Sequence, residues 1–528
     1  MLFVGRQNEL ALLSQELKAA KASLAIVYGR RRIGKSTLIR EAIKDRTHVF
    51  YQATRVTSSL NLESFKAEVA HGLGADDLLT GLADWLSVLH YLARAAEQNP
   101  GLTIVLDEFP YLADADPALP SVIQKFWDSG AARAGNLKLL LCGSMIAHME
   151  ELLSERNPLY GRKTLVLDLG PLSFREAAQF VRYRAEDRLL TCGVFGGTPF
   201  YLELLDGSET LQSNIVRLLL TQTGSLVDEP VVLLQSELRE VSRYASILAA
   251  IADGCTKHGD IIGRVKEISD SKALGPYLEK LERMRLIQIV RSLDAGPKER
   301  DRRYFIADPL IAFWHRFVRP NLSSIAQGFG RDVWRHQIAP RLDEFMGNTF
   351  EEICREHARR FSQENFAAPA QEVGRIWHAD FDIDIAGKLL DGSMIYGECK
   401  WWKDPVGENI LDQLIERASL TEYGRDNPKR QFILYSRTGF TTALRKRATS
   451  QPGIALCTPQ SMLRGVATRV RKPMHPPTAP TSSSGSRKGT IRTEGDMIAP
   501  VDAAWSALSG DEDHLYRQSA RKRPRKKK

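Results

Sequence analysis

The stretch Val27-Tyr28-Gly29-Arg30-Arg31-Arg32-Ile33-Gly34-Lys35-Ser36-Thr37 constrains the fold more than any other part of this chain. It follows the apolar run SLAIVY, carries the spacing GxxxxGK-Ser, and runs into a helical pattern at its lysine. A glycine-rich turn between a strand and a helix is the context in which that spacing holds phosphates. The glycines let backbone N–H groups wrap the anion, and the helix N-terminus adds partial positive charge. Lys35 brings a full charge to the β- and γ-phosphates, and the Ser36 hydroxyl is placed for Mg2+. Gly29, Arg30, Arg31, Arg32, Ile33, Gly34, Lys35, Ser36 and Thr37 are the expected nucleotide contacts, with ATP and Mg2+ as cofactors. The three arginines are expected as solvated or near-phosphate charges.

Such a loop needs a parallel sheet behind it. The runs SLAIVYG, HVFYQA, LTIVLDEF, LKLLLCGS and TLVLDLG, separated by amphipathic stretches, predict one covered on both faces over residues 1–165. LTIVLDEF ends in Asp107-Glu108. An aspartate at the C-terminal end of a strand can join Ser36 in holding Mg2+, and the next carboxylate can orient or activate the attacking water. The lesser alternative for Glu108 is an exposed loop acid. Ser144, at the tip of the next strand, could report on the γ-phosphate or be only a turn residue. Arg162, in NPLYGRKT, could reach phosphate charge in its own or a neighbouring subunit.

Three segments, FVGRQNEL (Phe3 to Leu10), LDEF and GGTPFYL, resemble the prokaryotic archaeal-type ATPase family, a STAND-related branch of the AAA-like P-loop ATPases. The resemblance implies that the Gly-Arg-x-x-Glu-Leu segment packs near adenine. It also implies that Gly197-Thr198-Pro199 lies in a helical lid behind the nucleotide. Val4, Gly5, Arg6 and Pro199 thereby become expected nucleotide contacts. It further implies an ATPase working as a switch or motor, whose output must come from the blocks downstream.

The expected class is α/β multidomain. It comprises a P-loop core over 1–165, a helical lid over 166–240, a winged helix-turn-helix over 241–325, a nuclease-like block over 326–470 and a disordered basic tail over 471–528. In the third block, helices are expected near Tyr244–Ala252, Gly259–Val265 and Lys272–Met284, followed by a strand, a polar turn and a second strand. Three helices and a wing can place the third helix in a major groove. Lys272, Lys280, Arg283, Arg300, Arg302 and Arg303 would supply phosphate-directed charge. In STAND-like ATPases the same fold often serves instead as an internal spacer or protein contact.

In the fourth block, DFDIDIA, a polar turn GKLLDG and SMIYGECKWW predict a hairpin. Residues two apart share a strand face, which aligns Asp382 with Asp384 and Glu398 with Lys400. Paired strands would let Asp384, Glu398 and Lys400 converge. Two carboxylates can bind Mg2+, and a nearby ammonium can hold water or stabilise a pentacovalent phosphate. Glu351 or Glu352, on the preceding helix, could add another acid. Such pairs also occur on ordinary solvated strands. The spacing Asp-x13-Glu-x-Lys is similar to the signature of restriction-endonuclease-like (PD-(D/E)xK) nucleases, with Ile383 where the pattern has proline. That resemblance implies Asp384, Glu398 and Lys400 as metal-binding and catalytic residues. It keeps Asp382 as the alternative aspartate, Glu351 as a weaker candidate, and Gln413 as a polar residue beside the site.

Composition narrows the remaining classes. Hydrophobic residues at 43% and charged residues at 26% of 528 describe an ordinary globular chain. No apolar run approaches the roughly 20 residues of a membrane span, and the opening MLFVGRQNEL turns polar too soon for a secretory signal. Six cysteines without CxxC spacing read as reduced thiols, so a cytoplasmic location is expected. The net charge of +9 owes much to the terminal RKRPRKKK. No internal repeat is expected. These readings predict a protein that binds and hydrolyses ATP to gate or position a Mg2+-dependent DNA nuclease. The alternative is a nucleotide-switched regulatory or scaffold protein with a catalytically silent nuclease fold. DNA is the expected partner, no membrane is, and a homo-oligomer and protein partners stay open.

Overall fold

The computed structural model describes residues 3–74, 79–238, 240–268, 271–296 and 302–466. The expected basic tail, RKRPRKKK and Arg300 lie outside the described residues, as does the side chain of Lys272.

Five apolar runs form β1 (Ser23–Tyr28), β2 (His48–Gln52), β3 (Thr103–Asp107), β4 (Lys138–Gly143) and β5 (Leu165–Asp168). They make a parallel sheet in the order β2-β3-β4-β1-β5. Strands β1, β3 and β4 are buried along their whole length, which is why their sequences are continuously apolar rather than alternating. One face packs on Leu13, Leu17 and the helix Lys35–Ile43, and the other on helices that include Trp85–Gln98 and Leu119–Asp128. Strand β4 lies between β1 and β3, so the glycine-rich loop and Asp107 open at one carboxyl edge, two strand spacings apart (about 10 Å).

Lid helices follow, among them Ala185–Phe195, Leu211–Leu219 and Glu229–Glu237. Next come helices Val241–Ala252, His258–Arg264 and Ser271–Arg283, then the antiparallel pair β6 (Ile287–Arg291) and β7 (Arg302–Ile306). This hairpin is docked. The Leu293 N–H donates to the Arg375 carbonyl at 3.0 Å, Arg303 lies 4.5 Å over the Trp377 ring, and Arg375 lies 4.3 Å over Phe305. Arg303, expected to face phosphate, is therefore spent on an intramolecular contact; Arg302 and Arg283 stay exposed and Lys280 is half-buried.

A repeat escaped the sequence reading. Residues 313–322, FWHRFVRPNL, and 333–342, VWRHQIAPRL, share Trp, Pro and Leu at matching places. Each passes from a π-helical turn (Trp314–Val318, Trp334–Ile338) through a 3-10 turn into a new helix. Pro320 and Pro340 lack the N–H that an earlier carbonyl needs, and the widened turn before each proline is the physical response. At two copies with low identity, the period is too short a signal to stand out in one sequence.

Strands β8 (Ala370–Trp377), β9 (Asp382–Leu389), β10 (Met394–Lys400), β11 (Arg430–Ser436) and β12 (Ile454–Cys457) form a second sheet in the order β12-β11-β10-β9-β8. Pairing is antiparallel across β8-β9-β10 and parallel across β10-β11-β12. Helix Leu342–Arg360 covers one face and helix Glu408–Leu420 the other. The turn is shorter than expected: Gly387, Lys388 and Leu389 stay in β9, and Asp391-Gly392-Ser393 makes the bend. Gly392 sits at φ 83°, and Asp391 Oδ1 accepts the Ser393 N–H at 2.9 Å.

The expected boundaries at 325/326 and 240/241 do not coincide with the cores. Helices over 309–341 pack back onto the lid, and one apolar core runs from Leu172 and Phe195 through Phe313, Trp334 and Met346 to Ile385, Trp401 and Tyr435. A Cβ at Gly193 in the lid would lie 2.2 Å from Met346 Sδ of the long helix, a measure of how tightly the two are joined. Lid and C-terminal sheet thus form a single packed body, while residues 241–287 keep a core of their own with Leu233, Leu234 and Ile311.

Candidate functional site

Backbone conformation builds the first site. Gly29 has φ 152° and a Cβ there would lie 2.3 Å from the Leu169 carbonyl oxygen, so only glycine fits. Gly34, at φ 88°, faces Pro199 with its would-be Cβ 3.5 Å from Cγ. The lid proline therefore touches the loop. Lys35 Nζ donates to the carbonyls of Gly29 at 3.0 Å and Arg30 at 3.3 Å, which holds the loop curved around it. Ser36 Oγ donates to Asp107 Oδ2 at 2.8 Å, bringing the two expected Mg2+ ligands together. Glu108 adopts φ 54°, a left-handed conformation that costs a non-glycine residue about 1 kcal/mol. Its carboxylate accepts from Ser144 Oγ at 2.8 Å and from the Ser144 N–H at 3.2 Å. Ser144, expected at the γ-phosphate, thus holds the acid next to it.

The segment Val4-Gly5-Arg6 lies against the same loop. The Arg6 N–H donates to Glu176 Oε1 at 2.7 Å, and its guanidinium reaches the carbonyls of Ile33, at 3.2 Å, and Gly170. Two loop arginines depart from the solvated or near-phosphate placement expected of them. Arg30 is buried, pairs with Asp308 at 2.5 Å and donates to Thr198 Oγ1 at 3.1 Å. Arg32 pairs with buried Glu229, which also accepts from the Tyr201 hydroxyl at 2.9 Å. Both point toward the lid and the connection after β7. Arg31 is exposed. Arg162 makes a two-pronged pair with Asp128, both contacts at 2.7 Å. Nothing in the residues around Arg162 announces Asp128, which lies 34 positions earlier.

The second site gathers side chains from four elements. The β9–β10 register pairs Ile385 with Gly397, so Asp384 and Glu398 follow as the next opposed pair. Asp384 Oδ2 accepts the Cys399 N–H at 2.8 Å. Lys400 Nζ contacts Glu398 Oε1 at 2.5 Å, and Arg417 from helix Glu408–Leu420 approaches the same oxygen at 3.7 Å. Arg355, on the long helix, donates to the Asp384 carbonyl at 2.9 Å and pairs with Glu351 at 3.4 Å and Glu352 at 3.0 Å. Burial first, and then the charge of Asp384, pushes both Glu398 and Glu351 up to about 7. Burial also raises Asp384. Burial opposes the charge of Lys400, but the attraction and hydrogen bond of Glu398, together with the charge of Asp384, raise it overall. Asp382 is exposed at the strand end, and Gln413 is exposed one helical turn before Arg417, on the same helix face. Arg355 and Arg417 were missed by sequence reasoning: one is among three arginines on its helix and the other stands alone on its own, and nothing local links either to the strand carboxylates.

Among the described residues, no three His, Cys, Asp or Glu side chains form a metal cage. The donor chemistry still suits a hard cation, because Glu398 Oε2 is buried with no hydrogen-bond partner and carboxylates crowd around it.

A glycine-rich loop at the end of β1, a hydrogen bond from Ser36 on the following helix to Asp107 at the end of β3, and Glu108 just beyond it define a P-loop ATPase site. Residues 3–205 match the family model described as an ATPase domain predominantly from Archaea. Residues 314–411 match a family of archaeal and bacterial proteins of unknown function. The chain is 29% identical over 443 residues to an uncharacterized protein of Methanocaldococcus jannaschii, covering 82% of this chain and 95% of that one. An uncharacterized ATP-binding protein of the same organism is 41% identical over 46 residues, 9% of this chain and 78% of its own length. Among solved structures, the Walker-type ATPase of Pyrococcus abyssi is similar at 21% identity and a TM-score of 0.46, covering 60% of this chain and 96% of that one. No helix among the described residues is long and apolar enough to cross a membrane.

Proposed function

We propose that ATP turnover at Lys35, Ser36, Asp107 and Glu108 gates or positions a Mg2+-dependent phosphodiesterase site that acts on DNA. The observation that carries this reading is the set of buried Glu398 with half-buried Asp384 and Lys400 on adjacent strands, crowded enough that Glu398 is pushed up to about 7. Buried carboxylates held together at such cost are a mark of function rather than of packing. Asp384 and Glu398 would hold Mg2+, which supplies Lewis-acid charge at the phosphate. Lys400 would neutralise charge on the phosphorane and orient water, while Arg417 would hold Glu398 in place. At the other site, Glu108, aimed by Ser144, would activate the water that attacks the γ-phosphate.

The coupling route follows the packing. Pro199 touches the loop, Arg30 ties it to Thr198 and Asp308, and the lid shares one core with the second sheet. A change in the loop on nucleotide binding would be carried rigidly by that body, since packed cores shift as units. The docked hairpin after β6 favours an internal contact over groove reading for the block at 241–306.

The test is cleavage of DNA by the full chain with Mg2+, with and without ATP. Metal-dependent cleavage lost in Glu398→Ala and Lys400→Ala supports the reading, and equal products from wild type and both variants would sink it. The closed pairing of Lys400 and Arg417 on Glu398 favours a second reading, a nucleotide-switched scaffold with a silent site. That reading predicts ATP-sensitive partner binding and no cleavage with any metal.

A further inference from the structure

Beyond the end of β10 the chain reads Trp401-Trp402-Lys403, and the two tryptophans part company. Trp401 is buried against Phe350, ring centroids 4.9 Å apart, in the core shared with the lid. Trp402 is 47% exposed, although leaving so large an apolar ring in water forfeits the burial its neighbour obtains. Its placement is specific. Alternation along an extended segment puts Glu398, Lys400 and Trp402 on one side. Lys400 Nζ lies 5.3 Å from the Trp402 ring centroid and 2.5 Å from Glu398 Oε1, so the ring walls the carboxylate cluster. Thr438 Oγ1 donates to the Trp402 carbonyl at 3.4 Å, tying the backbone to the turn after β11. Arg417, 3.7 Å from the same Glu398 oxygen, places positive charge on this rim, whereas Lys403 falls on the Trp401 side by the same alternation and pairs with Asp343 at 3.7 Å.

A flat, exposed π-face beside cations and a phosphodiester-type cluster is the combination that takes an unpaired nucleotide. Phosphate meets the Lys400 ammonium and the Arg417 guanidinium, and the base one step along the strand lies on the ring. A base inside a duplex already has both faces covered by its neighbours and cannot use such a ring; an unpaired one can. Resting on the hydrolytic reading above, we propose that Trp402 is a base-stacking residue and that the substrate class is DNA with unpaired nucleotides at the point of attack, as in single strands, flaps and frayed ends. Trp402 then sets specificity, while Lys400 and the carboxylates carry the chemistry.

The experiment uses the full chain with Ca2+ replacing Mg2+, at about 0.2 M salt so that non-specific phosphate attraction is reduced. A single-stranded oligonucleotide containing 2-aminopurine and the same sequence as a duplex are titrated against wild type, Trp402→Ala and Trp402→Phe. Wild type should quench 2-aminopurine emission in the single strand. Trp402→Ala should bind that strand about tenfold more weakly without the quench, and Trp402→Phe should recover most of both. Duplex affinity and ATP hydrolysis should be the same in all three. Equal single-strand affinity in wild type and Trp402→Ala, or an equal loss for duplex, overturns the proposal. A parallel Mg2+ cleavage assay separates this claim from the one beneath it. Trp402-dependent stacking without any cleavage removes the nuclease and keeps the platform, whereas cleavage of single strands unchanged in Trp402→Ala removes the platform and keeps the nuclease.

Discussion

The two sites are made by opposite strategies. At the ATPase site nearly everything comes from one turn and the tips of two neighbouring strands, and backbone geometry does most of the work. Gly29 and Gly34 take conformations other residues resist, and Lys35, Ser36, Asp107 and Glu108 each already have a partner. At the C-terminal site, four distant elements deliver acids and bases into a small buried volume, and the groups oppose one another: Glu398 and Glu351 stand at about 7 because burial and Asp384 disfavour their charge. A pre-satisfied site is ready to accept an anion, whereas a crowded one is completed by a cation. Their shared physical link is the core between lid and second sheet.

The comparison breaks first at Lys35. Lys35→Ala should lower ATP hydrolysis by about 10^2–10^3-fold, as loss of a preorganised charge at a developing anion does, measured by phosphate release. If the link is real, ATP-dependent changes at the second site vanish with it. Glu108→Gln should keep nucleotide binding while losing turnover. Glu398→Ala or Lys400→Ala should lower DNA cleavage by about 10^2-fold or more, with ATP hydrolysis unchanged. The pH profile sharpens this contrast. A cation needs ionised carboxylates, so metal affinity and cleavage should climb as pH rises through about 7 and level off above it.

Next in size is the shared core. Met346→Ala removes a fully buried side chain and should cost about 2–5 kcal/mol. Lid and second sheet should then melt together, seen as loss of hydrogen-exchange protection in both while the β1–β5 sheet keeps its own. Two separate transitions for lid and second sheet would contradict a single body. Histidines in that body add a pH dependence of known sign. Burial, aided by Arg319 and Arg175 respectively, holds His315 down to about 3 and His357 down to about 4. The unfolded chain takes up protons below about 6.5 while the folded one does not. Stability should therefore fall as pH drops from about 6.5, by about 1.4 kcal/mol per pH unit for each histidine, and His357→Phe should flatten that slope in denaturant titrations. The smallest effect belongs to Arg162. Occupied by exposed Asp128, it should be replaceable by alanine with no measurable change in nucleotide affinity.

How much of this was legible follows from where each contact is made. The nucleotide loop, β1–β5 and the β9–β10 hairpin are local patterns, and apolar runs with intervening turns give them away. Asp308 beneath Arg30 lies 278 positions away, and nothing near either residue signals the other. The docking of Arg303 on Trp377 is equally silent, which is why groove contact and an internal contact both stay open in the sequence. A core crosses the expected domain edge for a related reason: residues 309–341 follow the β6–β7 hairpin in sequence but bury their apolar faces in the lid.

Sequence alone determined the phosphate-gripping turn, its parallel sheet and the spacing of acid, acid and lysine on two strands, because short-range periodicity and glycine chemistry encode those directly. Tertiary structure alone decided which arginines face acids, which tryptophan stays in water, and that the lid and the second sheet share one core. Those outcomes depend on competition for burial and for countercharge among groups hundreds of residues apart, and no local pattern records who wins.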